Sequence, residues 1–182
     1  MPITASRSSR TPSDPRVDGV SAVAGMPIRV LFVCTHNSAR SQIAEALLAS
    51  ARGADFEASS AGTEATEVHP YAVRILGELG IEWSQARSKR LDEFQGREFD
   101  FVITVCDRAR QSCPVFPGPA TKLHWGLDDP SEVEGDDSAK LAAFRKTRVE
   151  VEERLGPFIE AALDAARRSG RIDVQDRTPG TT

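Results

Sequence analysis

Cys34 and Arg40 stand with five residues between them in the run Cys34-Thr35-His36-Asn37-Ser38-Ala39-Arg40-Ser41. Five intervening residues, Thr35 to Ala39, can curl the backbone so that successive N–H groups converge on one point, which makes a cradle for a tetrahedral oxyanion. A helix starting at the end of the run would add the positive end of its dipole at the same point. Arg40 would close the cradle with a planar fork suited to two oxygens, and the combined field is expected to depress the Cys34 pKa toward the reactive thiolate. Ser41 can donate a hydrogen bond to that sulfur. Asn37 tolerates left-handed backbone, and its amide can tie loop carbonyls down. His36 is expected to shape the loop rather than ionise, because Arg40 and the backbone already supply positive charge. Taken singly, Cys34 reads as a buried strand-end cysteine and Arg40 as a solvated helix residue; their pairing between a strand and a helix points to chemistry.

The chain has two further cysteines, Cys106 and Cys113. If the seven-residue step between them is helical it spans roughly 10 Å, whereas a disulfide needs Cα atoms within about 7 Å, so bridging them requires the segment to unwind. Read alone, each is equally a buried core thiol. No C-x-x-C pair or His cluster suggests zinc, and no metal is expected. Asp129, just before Pro130, is by itself a turn former, but with a nucleophile across from it a carboxyl there becomes a proton donor.

These residues need a frame. Residues 28–33 form an apolar run interrupted only by Arg29, which suits a buried parallel strand. Ile43, Ala44, Leu47, Leu48 and Ala51 recur at helical spacing, so 39–52 reads as an amphipathic helix closed by Gly53. A strand fits 56–60, a helix fits 70–79 with Pro70 in its first turn and Gly80 stopping it, and 99–106 reads as another buried strand. Leu141, Phe144, Val151, Leu155, Phe158 and Ala162 trace one helical stripe that Gly156 and Pro157 should kink or split. Alternating strands and helices imply an α/β chain with a parallel sheet, helices on both faces and ligands at the carboxyl ends of the strands.

The 182 residues, 40% hydrophobic, suit one domain. A net charge of -4 argues against a nucleic-acid or membrane footprint. No apolar run approaches the roughly 20 residues that cross a bilayer, and no signal-peptide core is present, so a soluble, cytoplasmic protein is expected. Residues 1–27 carry Pro2, Pro12, Pro15 and Pro27 among Ser and Arg without periodicity and read as a disordered extension, with Met26 a candidate natural start. Arg7, Arg10 and Arg16 offer a targeting extension as the alternative, which Asp14 and Asp18 weaken. Residues 169–182 read as a flexible tail, leaving 28–168 as the domain.

The run from Val33 to Gln42 resembles the signature loop of low-molecular-weight tyrosine phosphatases and of their arsenate reductase relatives. Ser60-Ala61-Gly62-Thr63 resembles that family's second strand ending, and His124-Trp125-Gly126-Leu127-Asp128-Asp129-Pro130 its acid loop. The resemblance covers 28–166 and implies a three-layer sandwich around a central four-stranded parallel sheet. It implies Asp129 as the acid and Cys34 as the nucleophile. For the reductases it implies a relay: Cys106 attacks the arsenate adduct and leaves a Cys34–Cys106 disulfide, and Cys113 resolves this into a Cys106–Cys113 disulfide. Thioredoxin, or a low-molecular-weight thiol system, would then reduce that disulfide, with no bound cofactor and a monomer expected.

Three functions are thus in play: arsenate reduction to arsenite for detoxification, tyrosine phosphatase activity, and a redox or arsenite sensor without turnover. The cysteine pair favours the first. The second wants aromatic residues after the acid loop, where Ser131-Glu132-Val133-Glu134 stands, and the one tyrosine, Tyr71, is far away in sequence. The third would not need Asp129. Some of the similar reductases bind potassium through residues matching Asn37, Glu45, Ser60 and Lys89, the last an Asp in them; lysine cannot coordinate a cation, so its ammonium is expected to neutralise Glu45 instead, or to be a plain surface lysine. Ala39 stands where relatives often have cysteine.

Overall fold

The computed structural model describes residues 25–171. The expected N-terminal extension and C-terminal tail therefore lie almost entirely outside the described residues. Four strands, β1 (Ile28–Cys34), β2 (Phe56–Gly62), β3 (Phe101–Thr104) and β4 (Thr121–His124), form one sheet in the order β2-β1-β3-β4. Every pairing is parallel. β1 lies inside the sheet, which explains its apolar run: Val30, Leu31, Phe32 and Val33 are all fully buried. The register sets Cys34 against Gly62 and Val33 against Thr104, so all the strands deliver their carboxyl ends to the edge where Cys34 sits.

Helix α1 (Arg40–Arg52) packs on β1 and β2 through Ile43, Ala44, Leu47 and Leu48. Helix α2 (Pro70–Gly77) and the long α4 (Asp137–Arg168) pack on each other and on α1. Helix α3 (Asp107–Ser112) leans on β1 and β3. The three-layer α/β expectation holds, with β4 added to what the residues by themselves had suggested.

Three local readings need correction. Gly156 and Pro157 do not split α4, which runs through both. Both residues face solvent while Leu155 and Phe158 beside them are buried, so water can satisfy the backbone carbonyl that proline leaves unpaired and the core holds the helix together. α2 ends at Gly77, and the chain turns through Gly80, whose φ of +74 supplies the left-handed stop. β3 is shorter than 99–106: the Val105 N–H still reaches the Val33 carbonyl at 2.8 Å, but Cys106 leaves the strand to cap α3.

Candidate active site

The loop between β1 and α1 is shaped from behind. The carbonyls of Cys34, Thr35, His36 and Ser38 accept the backbone N–H groups of Thr63, Glu64, Thr66 and His69 at 3.2, 2.8, 3.2 and 2.9 Å. With its carbonyls turned outward and paired, the loop can turn its N–H groups inward. Gly62 makes this close approach possible, since a Cβ there would lie 2.7 Å from the Thr35 carbonyl oxygen and 2.8 Å from the Asn37 nitrogen. Asn37 carries the left-handed turn at φ 49, the non-glycine positive φ among the described residues. Ala39 at the start of α1 offers no side-chain cap, which leaves that helix end to an anion.

Asn37 is fully buried and satisfied on all sides. Its Oδ1 accepts from the Lys89 N–H at 2.7 Å and from Gln42 Nε2 at 2.9 Å, so its NH2 must face the other way. There Nδ2 donates to Ser41 Oγ at 2.9 Å and to Ser60 Oγ at 2.7 Å. Each hydroxyl, having accepted, turns its own proton onward: Ser60 to Glu45, and Ser41 to Cys34 Sγ at 2.9 Å. Lys89 Nζ closes the far end on Glu45 at 3.0 Å, with both side chains largely buried. The expected Lys89–Glu45 pairing is therefore present, as one end of a hydrogen-bonded line that finishes on Cys34. Gln42, which the sequence reading quoted without a role, is fully buried and also bonds the Arg87 carbonyl and Trp83. Its place one step into an amphipathic helix, polar where the apolar stripe continues, was the available signal.

Cys34 Sγ also accepts the Asn37 N–H at 3.0 Å. Burial nevertheless pushes the thiol above the ordinary cysteine value, against the pull of Ser41, the Asn37 N–H and Arg40. The expected depression is thus not met in this conformation. The physical reason is burial, which outweighs these three; Arg40 itself donates Nη1 to the Leu127 carbonyl at 3.1 Å and Nη2 to the Asp129 carboxylate. Asp129 also accepts from Ser131 N at 3.1 Å and Ser131 Oγ at 2.6 Å.

Cys34, His36, Ser38, Ala39, Arg40 and Asp129 surround one cavity of about 180 Å³, together with Thr66, His69 and Ser131. The structure therefore gathers Cys34, Arg40 and Asp129 around one space. Thr35 turns away from it, its Oγ1 3.4 Å from Cys106 Sγ. Cys106 is buried behind the loop, where its sulfur accepts the Ala109 N–H at 3.4 Å as the cap of α3. Cys113 is half-buried at the other end of the same helix, and its burial pushes its thiol up. The helix expected between the two cysteines is present, and all three thiols are free.

His69, missed in the sequence reading, lines this cavity and an adjoining groove of about 420 Å³. That groove is also lined by Tyr71, Phe144, Pro130, Ser131 and Lys140. Tyr71, far from the acid loop in sequence, is thus brought against it, which corrects the argument from its distance along the chain. Among the described residues no group of three or more His, Cys, Asp or Glu side chains is placed to hold a metal. Nor is any described helix long and apolar enough to cross a membrane.

A four-stranded parallel sheet with a cysteine-to-arginine oxyanion loop after β1 defines a class, and the chain belongs to the low molecular weight phosphotyrosine protein phosphatase family, whose sequence pattern matches residues 29–169. Within it, the chain is 40% identical over 131 residues to an arsenate reductase of Halalkalibacterium halodurans, covering 72% of this chain and 94% of that one. It is 37% identical to an arsenate reductase of Bacillus subtilis, with the same coverages. Among solved structures, a thioredoxin-dependent arsenate reductase of Corynebacterium glutamicum superposes with a TM-score of 0.55 at 36% identity, over 76% of this chain and 65% of that one. A tyrosine phosphatase of Escherichia coli K30 in complex with sulphate shares the fold, with a TM-score of 0.58 at 19% identity over 73% of this chain and 99% of that one.

Proposed function

We propose that the chain is an arsenate reductase whose single domain, residues 28–168, runs a relay through Cys34, Cys106 and Cys113. The observation that carries the reading is the placing of two further free cysteines at the ends of a six-residue helix whose first residue follows a thiol next to the oxyanion loop. Arsenate enters the cavity and draws Arg40 off Asp129. Cys34 sulfur bonds to As(V) while its thiol proton, relayed by the Asp129 carboxylate, passes to the departing hydroxyl, which leaves as water. Cys106 sulfur then attacks Cys34 sulfur. The S–As bond breaks with its electron pair going to arsenic, which departs as arsenite, and a Cys34–Cys106 disulfide remains. Cys113 attacks Cys106, returns Cys34 to its thiol and leaves a Cys106–Cys113 disulfide, which a thioredoxin dithiol reduces.

No bound cofactor is required by this scheme, and a monomer in the cytoplasm with thioredoxin as reductant suits it. Lys89 holds its ammonium on Glu45 in place of a potassium ion, so exchanging NaCl for KCl at fixed ionic strength should leave the melting temperature unchanged. A second reading, phosphotyrosine hydrolysis, is favoured by the Tyr71 and Phe144 groove beside the cavity. NADPH consumption with arsenate, thioredoxin and thioredoxin reductase separates the two. The wild type should turn over; C34S, C106S and C113S should not, and D129N should lose about 10²-fold or more in kcat. Hydrolysis of para-nitrophenyl phosphate without arsenate turnover would reverse the ranking.

A further inference from the structure

His69 sits between the oxyanion cavity and the aromatic groove, at a point where its ring chemistry is fixed by its surroundings. Its backbone N–H donates to the Ser38 carbonyl at 2.9 Å, which ties it to the oxyanion loop itself. Its Nδ1 accepts the Tyr71 N–H at 3.2 Å and so caps α2. The ring lies against Phe144, with centroids 4.6 Å apart, and against Tyr71 at 5.3 Å.

The cap decides the tautomer. A nitrogen that accepts a backbone N–H cannot carry a proton, so the ring is neutral and its one proton is on Nε2. Burial among these rings favours the neutral form, and Lys140 adds to it while Asp129 opposes; together they hold His69 below the ordinary histidine value. A neutral imidazole in this place is a donor whose Nε2–H has no partner among the described residues, in a cavity whose other walls are the Cys34 loop, Arg40, Thr66, Asp129 and Ser131.

We propose that His69 is an oxyanion-binding residue, donating its Nε2–H to the anion held at Cys34 while its Nδ1 caps α2. The assignment rests on the oxyanion reading of the cavity and deepens it. The competing role is purely structural, a helix cap packed on Phe144. The two roles use different ring nitrogens, and amide side chains separate them: Asn reproduces the Nδ1 acceptor, while Gln places an N–H near Nε2 and loses the cap.

Calorimetric titration of the reduced protein with inorganic phosphate, beside thermal unfolding without it, tests this with no need for turnover. H69N should keep the cap and so melt above H69Q, below the wild type by the lost ring packing, yet bind phosphate about tenfold more weakly, the effect of one hydrogen bond to a charged group. H69Q should melt lower and bind phosphate within about threefold of the wild type. Wild-type affinity in H69N, or affinity that follows melting temperature across both variants, overturns the role of His69. Absence of phosphate binding by the wild type overturns the oxyanion reading underneath it.

Discussion

Cys34 is pulled in two directions. Burial raises its pKa, while the Ser41 hydroxyl, the Asn37 N–H and Arg40 lower it, and burial wins. A thiol raised in the folded state stays protonated where the unfolded chain has begun to ionise. Its contribution to stability is therefore complete below the unfolded cysteine pKa of roughly 8.5 and is lost as pH rises toward the folded value. Melting temperature should fall more between pH 7 and pH 9.5 for the wild type than for C34S, by scanning calorimetry; equal falls would show that the thiol does not titrate differently on folding. The loop roles of Asn37, Ser41 and Arg40 were legible from their types and spacing, because each is a short-range consequence of a strand, five residues and a helix. The state of the charge on Arg40 was not, since Asp129 reaches it across 89 residues of chain.

At the scale of elements, the loop depends on the strand beside it. Gly62 stands against Cys34 in the register, and a methyl group there would press on the Thr35 carbonyl and the Asn37 nitrogen. G62A should cost about 1–3 kcal/mol of stability and weaken phosphate binding together, measured by denaturant unfolding and calorimetry. The proposed relay would make the opposite demand on α3, which must come apart for the cysteines at its two ends to meet. Arg110 is exposed in that helix, and glycine there makes local unwinding easier by about 1 kcal/mol, so R110G should form the Cys106–Cys113 disulfide roughly fivefold faster on oxidation, followed by mass spectrometry. An unchanged rate would place the barrier elsewhere. The spacing of the two cysteines announced this helix, whereas the capping of α3 by the Cys106 sulfur needed the backbone to turn out of β3.

Across the whole molecule, the cysteines run from the buried Cys34 and Cys106 to the half-buried Cys113 at a helix end, an order in which the proposed relay would carry oxidising equivalents outward. If Cys113 is the exporter, C113S should release about one equivalent of arsenite per chain and then stop with a Cys34–Cys106 disulfide, read by arsenite quantitation and peptide mapping. Continued turnover would remove Cys113 from the route. The sequence by itself determined three of the four strands, the cysteine-to-arginine loop and the candidates for the relay, because apolar runs, loop length and residue chemistry act over a few neighbours. It could not determine that Gly156 and Pro157 would be tolerated in α4, that Tyr71 would wall a groove beside the acid loop, or that His69 would enter the cavity. Those depend on which faces the packing of α2, α4 and the acid loop turns toward one another, and only the tertiary structure brings segments so distant in the chain within reach of a single hydrogen bond.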